Sequence, residues 1–137
     1  MDTLLVIGRV LFALLFLGSA MGHLTKTEAM TQYAQYRKLP AAKAGVIVSG
    51  VVLGLGALSV ALGVVGDLGA LALAAFLIVA AFVFHAFWKE SDPQSAATEQ
   101  AQFMKNIALV GGAIVLFALF AADAAGPAIT DGAFDLS

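Results

Sequence analysis

Four long stretches with almost no charge govern what this chain can become. They run from Thr3 to Gly22, Ala44 to Val65, Leu68 to Trp88 and Ile107 to Ala122. Arg9 interrupts the first, His85 is the only ionisable group in the third, and the other two have none. Crossing the hydrocarbon of a bilayer takes ~17–25 residues of helix, so three stretches have the needed length and the fourth is short. Lipid offers no hydrogen bonds to a backbone, so each stretch is expected to be helical. Composition agrees: 61% of residues are hydrophobic and 12% charged, against ~45–50% and ~25% in soluble domains. The expected fold is all-α, an integral membrane four-helix bundle over residues 1–125, with a short acidic tail at 126–137.

The first stretch invites a signal-peptide reading, because Gly18 and Ala20 resemble a cleavage site. Its apolar run starts at Leu4, ahead of Arg9, and Asp2 spoils a positive leader. It reads as a retained helix. The first connection, His23 to Lys43, is longer than a turn. Thr25-Lys26-Thr27-Glu28 has capping-box spacing, and Met30, Tyr33, Ala34 and Tyr36 follow. A short interfacial helix that lays its tyrosines into the headgroups is expected there. Pro40 then opens the second span. Little more than Gly66-Asp67 joins spans two and three, and Lys89 to Lys105 reads as a polar linker.

Six of the seven Lys and Arg residues lie in the first and third connections: Lys26, Arg37, Lys38, Lys43, Lys89 and Lys105. The positive-inside rule puts those connections in the cytoplasm and both termini outside. A net charge of -2 without basic runs gives no reason to expect a nucleic-acid partner. The chain has no cysteine, which excludes disulfides and thiol relays through its own residues.

Few side chains carry chemistry. Arg9 sits about two turns into the first span, where a charge needs a partner. Asp67 and Asp123 approach the same face in this topology, so either can form a buried pair with it. That pair would fix helix register, or the arginine would serve an anion or proton site. His23 and His85 lie near the inner ends of two parallel spans, at similar depth. Paired imidazoles can hold a haem iron or a metal in a bundle core, although interfacial packing also favours histidine at that depth. Around His85, Trp88 supplies an aromatic wall while Lys105 and Asn106 supply hydrogen-bond donors for a carbonyl or quinone head group. The alternative is a solvated loop with Asn106 capping the last helix. No metal-site signature, phosphate loop or nucleophile elbow is present. Gly50 and Gly54 form a small-xxx-small pair that supports close helix packing and a homo-oligomer through the second span.

Further motifs point to a family. Gly8-Arg9-Val10-Leu11-Phe12-Ala13-Leu14-Leu15-Phe16-Leu17-Gly18-Ser19 opens the first helix, and Leu39-Pro40 closes the polar loop. His85-x-Phe87-Trp88 is followed by Gln102-Phe103-Met104-Lys105-Asn106-Ile107-Ala108-Leu109-Val110-Gly111-Gly112. Over roughly Ile7 to Phe120 the chain resembles the DoxX family of small bacterial and archaeal membrane proteins. The resemblance implies a bundle in the cytoplasmic membrane, linked to quinone-coupled or oxidative-stress redox systems. It singles out Arg9, His85, Trp88, Lys105 and Asn106. The expected role is a non-catalytic accessory or anchoring subunit beside a redox partner, with quinone ahead of haem as a cofactor. The alternatives are an autonomous quinone- or haem-binding oxidoreductase and a membrane assembly protein without chemistry. A topology reporter fused to the C-terminus should be active only outside the cytoplasm; activity confined to the cytoplasm overturns the orientation.

Overall fold

The computed structural model describes residues 1–136, and among these every regular element is helical. Four helices are long and apolar enough to cross a membrane. The first, α1 (Asp2–Thr25), is followed by the short α2 (Thr27–Tyr36), then α3 (Ala42–Leu62) and α4 (Gly66–Phe84). A 3₁₀ turn at Phe87–Lys89 leads into α5 (Pro93–Ala121). The main packing pairs are α1 with α3, α3 with α4 and α4 with α5, while α2 lies on α3.

The bundle is built small inside and large outside. Ala13, Ala57, Ala70, Ala81 and Ala113 are buried around Phe16, Leu53, Val60 and Leu73, whereas Leu11, Leu55, Ile78 and Val115 face outward. Lipid tails are as apolar as leucine, so helices associate through close backbone approach and leave bulky chains to the solvent lipid. Gly50 shows the consequence: a Cβ there would lie 2.9 Å from the His23 Cβ. Gly54 likewise faces Ala20 of α1. The small-residue face of this span is thus occupied inside the chain by α1, which removes it as the ground for a homo-oligomer.

Two sequence expectations need correction. The polar linker expected at Lys89 to Lys105 is mostly the beginning of α5, which has 29 residues and is about 43 Å long at 1.5 Å per residue. Hydropathy marks only the part within lipid. The helix starts at Asp92-Pro93, where the Asp92 carboxylate accepts from Ser95 N at 2.8 Å and Ser95 Oγ at 3.0 Å. Proline at the first helical position has no N–H to leave unpaired. Those two bonds from Ser95 hold the Asp92 carboxyl below its usual pKa. Asn106 is therefore not a cap but lies in mid-helix.

The expected interfacial helix exists, but its threonines do other work than capping it. Thr25 Oγ1 donates to Met21 O and Thr27 Oγ1 to His23 O, at 2.6 and 2.8 Å, so both finish α1. The residue at the N-cap of α2 is Lys26, without a side-chain bond. Pro40 precedes the next helix by two residues, and Ala41 takes a left-handed conformation at its N-cap.

At the opposite end Arg9 organises the chain. Its Nε donates to Val60 O at 3.0 Å and its Nη2 to Ala61 O at 2.8 Å. Nη1 donates to Ala125 O at 3.1 Å and to Pro127 O at 2.7 Å. Val60 and Ala61 belong to the last turn of α3, whose carbonyls have no partner within the helix. Arg9, 2% exposed, therefore caps α3 from the side and brings a cation to the negative end of its dipole. The Phe120 ring lies 5.2 Å from the guanidinium. Neither expected carboxylate pairs with it among the described residues. Asp67 is fully buried and accepts instead from Leu68 N and Phe134 N, while Asp123 is exposed. All three guanidinium nitrogens donate to carbonyls instead.

The tail lies back over this end. Ile129 N and Thr130 N both donate to Gly63 O, and Leu136 N donates to Ala121 O. Gly63 itself, at φ +69, makes the left-handed turn that ends α3, and a Cβ would clash with Ala128 at 2.7 Å. Arg9→Leu should lower stability in detergent by ~3–5 kcal/mol, the range for removing one partner of a buried charged interaction. A thermal melt matching the wild type would refute the capping role.

Candidate functional site

At the end of the bundle where most basic residues gather, α1, α3, α4 and α5 enclose a cavity of about 560 Å³ roofed by α2. Its walls are apolar and aromatic, with Phe16, Phe76, Leu77 and Leu109 deep inside and Met30, Tyr33 and Ala34 in the roof. His23, His85, Lys105 and Asn106 all line it. Four of the five site residues expected from sequence therefore meet at one place, although they come from two helices, α1 and α5, and the segment after α4. Trp88 does not join them. It packs on Phe87, Phe103 and Phe82 with ring centroids 5.2, 5.6 and 6.0 Å apart, and is half exposed. Its surroundings are those of an interfacial aromatic belt.

Each imidazole is held through Nδ1. In His23 that atom lies 2.8 Å from Ser49 Oγ and 3.3 Å from Val46 O. In His85 it lies 2.7 Å from Glu99 Oε2. Among the described residues no group of three or more His, Asp or Glu side chains gathers in a metal-binding arrangement. Lys105 Nζ donates to Gln102 Oε1 at 2.6 Å near the cavity mouth. Asn106 differs from all of these. Only 5% exposed and facing the cavity, its side-chain amide has no hydrogen-bond partner among the described residues. An amide can donate two bonds and accept two, and here that capacity is open to the cavity. A helix that carries such a group into a cavity has room there for a polar ligand.

The expectation from sequence did not include the groups that fasten this site. Arg37, just past α2, pairs with Glu90 at 3.0 Å and Glu99 at 3.3 Å. Glu99 thus bridges Arg37 and His85. Burial alone would lower the pKa of Arg37; hydrogen bonds and charges from Tyr33, Glu90 and Glu99 outweigh it and raise the value. The guanidinium also lies 5.5 Å from the Tyr33 ring, and Tyr33 stacks on Phe84 and donates to Phe84 O. These contacts clamp the α2 roof onto α4 and α5. Glu99 was legible only if the linker had been read as helix. Seven residues separate it from Asn106, which places both on one face about 10.5 Å apart along the axis.

The family model of DoxX matches residues 4–86, more than half of the chain. This chain belongs to the DoxX family. No curated protein and no solved structure gives a match. The matched part of this DoxX chain includes Arg9, His23 and His85, and ends before Trp88, Lys105 and Asn106. It is narrower than the resemblance over Ile7 to Phe120 read from motifs. α5, which brings Glu99 and Asn106 to the cavity, lies beyond it.

The clamp can be tested with the absence of native cysteine as an advantage. Ala34 is 1% exposed under the roof, so Ala34→Cys should react slowly with a water-soluble maleimide. Adding Arg37→Ala should speed labelling at least severalfold. Equal rates in the two backgrounds would show that the ion pairs do not hold α2 down.

Proposed function

We propose that this DoxX-family membrane protein is a subunit of a membrane redox complex and supplies a cavity for a quinone-type ligand. The observation that carries this reading is Asn106, a residue 5% exposed whose amide makes no hydrogen bond among the described residues and lines an apolar cavity that also receives two imidazoles. A lipid-soluble ring with oxygen substituents matches such a lining: aromatic and aliphatic walls for the ring and tail, a few polar groups for the oxygens. A bound quinone would supply two-electron, two-proton chemistry that no side chain of this chain can perform. The protein residues bind and orient. Asn106 meets an oxygen of the ligand, His23 and His85 approach its edges, and Phe16 and Phe76 hold the ring plane.

The orientation we propose follows the basic loops: the cytoplasmic membrane, both termini outside, and the cavity in the inner leaflet. That places the α2 roof and the Arg37 clamp where a peripheral cytoplasmic dehydrogenase can dock. The lack of cysteine and of a metal-binding group among the described residues favours a partner as the source of electrons.

Purification in a mild detergent followed by solvent extraction should recover a quinone near one equivalent per chain. Added decylubiquinone should bind, and Asn106→Leu should weaken that binding about tenfold, as expected for the loss of one good hydrogen bond in a buried site. A preparation that holds no quinone and fails to bind decylubiquinone sinks the proposal. A haem absorption band lost in His85→Ala would replace it with a haem-binding protein.

A further inference from the structure

Hydrogen-bond directions around the cavity restrict which form of the ligand fits. We infer that the site is built for the reduced, hydroxyl-bearing form, an aromatic diol of the hydroquinone class, in preference to the matching dione. This rests on the quinone-type reading above and deepens it.

The hydroxyl groups come first. Four side chains with hydroxyls line the cavity: Ser19, Tyr33, Ser49 and Thr98. Each has already given its single hydrogen to a backbone carbonyl. Ser19 donates to Leu15 O, Tyr33 to Phe84 O, Ser49 to Val46 O and Thr98 to Gln94 O. What remains on every one of them is an oxygen lone pair, which can only accept.

The imidazoles follow from these. Val46 O lies 3.3 Å from His23 Nδ1 and can only accept, and Ser49 Oγ at 2.8 Å can accept while its own hydrogen goes to Val46 O, so a hydrogen on Nδ1 suits both neighbours. A carboxylate is an acceptor only, so Glu99 fixes the hydrogen of His85 on Nδ1 in the same way. In a neutral ring the other nitrogen is then a lone pair. Nε2 of both His23 and His85 is without a partner among the described residues, and both therefore offer the ligand an acceptor.

Donors sit on one side only. They are Lys105 and the amides of Gln102 and Asn106, all on α5. Acceptors come from α1, α2, α3 and the end of α4, with Thr98 Oγ1 of α5 beside them. A quinone carbonyl can satisfy the α5 donors but brings two lone pairs against the Nε2 lone pairs of His23 and His85. A hydroxyl accepts from the α5 donors and donates to an imidazole, so it satisfies both kinds of group. The penalty for facing acceptor with acceptor is the full desolvation of the unpaired groups.

Glu99 is the positioning residue in this scheme, and Arg37 makes its role separable from packing. Arg37 takes one oxygen of Glu99 and His85 the other. In Glu99→Gln, the amide oxygen must turn to Arg37, since a guanidinium cannot accept. The amide nitrogen then faces His85 Nδ1 and donates, which moves the imidazole hydrogen to Nε2 and converts an acceptor in the cavity into a donor.

The test is calorimetric titration of the detergent-solubilised protein with decylubiquinone and with its reduced form, carried out anaerobically. The wild type should bind the reduced form about tenfold more tightly, the size of one well-made hydrogen bond. In Glu99→Gln that ratio should fall severalfold while the oxidised form binds at least as well as before. A merely structural defect would weaken both forms together and leave the ratio unchanged, which overturns the assignment of Glu99. Equal binding of the two forms by the wild type, or tighter binding of the quinone, overturns the preference and leaves the cavity as a quinone site. Failure of both forms to bind overturns the quinone reading and this inference with it. Should Glu99→Gln not fold, the wild-type ratio alone still decides the preference.

Discussion

In a lipid solvent every backbone carbonyl without a partner is a cost of several kcal/mol, and helix ends carry four each. The capping of α3 by Arg9 answers that constraint where it is most severe. One side chain satisfies Val60 O and Ala61 O at the end of a spanning helix and reaches two carbonyls of the returning tail. A charged group is tolerated at that depth because the helix dipole and four carbonyl oxygens replace the hydration it loses. This single residue thereby ties the end of α3 to the seat of the tail. Asp67 repeats the logic with opposite sign, sitting in the first turn of α4 and accepting from Leu68 N and Phe134 N.

The two ends of the bundle are therefore organised differently. One is closed by neutral carbonyls gathered around a cation and by a chain segment laid across it. The other is held by ion pairs over a cavity, with α2 as a roof fixed at Arg37. Partly buried pairs of this kind, in a network that shares Glu99, hold geometry better than isolated surface pairs do. That geometry reaches His85 directly, so the roof and the ligand site are coupled through one carboxylate.

Much of this was legible before any coordinates. The charge-free runs required four spanning helices, and composition required lipid around them. His23 and His85 were placed at a common depth by counting turns, and the structure brings both to one cavity with Lys105 and Asn106. Errors arose where a local pattern was read without its environment. The segment from Lys89 to Lys105 is too polar for lipid and was read as a linker, yet a polar helix projecting from the membrane has that same composition. Asp92-Pro93, a helix start in plain view, lay inside the segment read as a linker. Trp88 stands next to a cavity residue in sequence, but the 3₁₀ turn rotates it into the belt of Phe82, Phe87 and Phe103.

Sequence by itself determined the solvent, the number of crossings and the residues able to carry polar chemistry, because hydropathy and charge act locally along the chain. It could not determine partners. Arg9 had two carboxylates within reach and took neither, because the free carbonyls of α3 lie closer in the packed bundle and carry no side-chain label. Glu99 became the link between Arg37 and His85 only when α5 and α2 met over α4. Such choices belong to tertiary structure, since a hydrogen bond depends on where backbone groups arrive after packing.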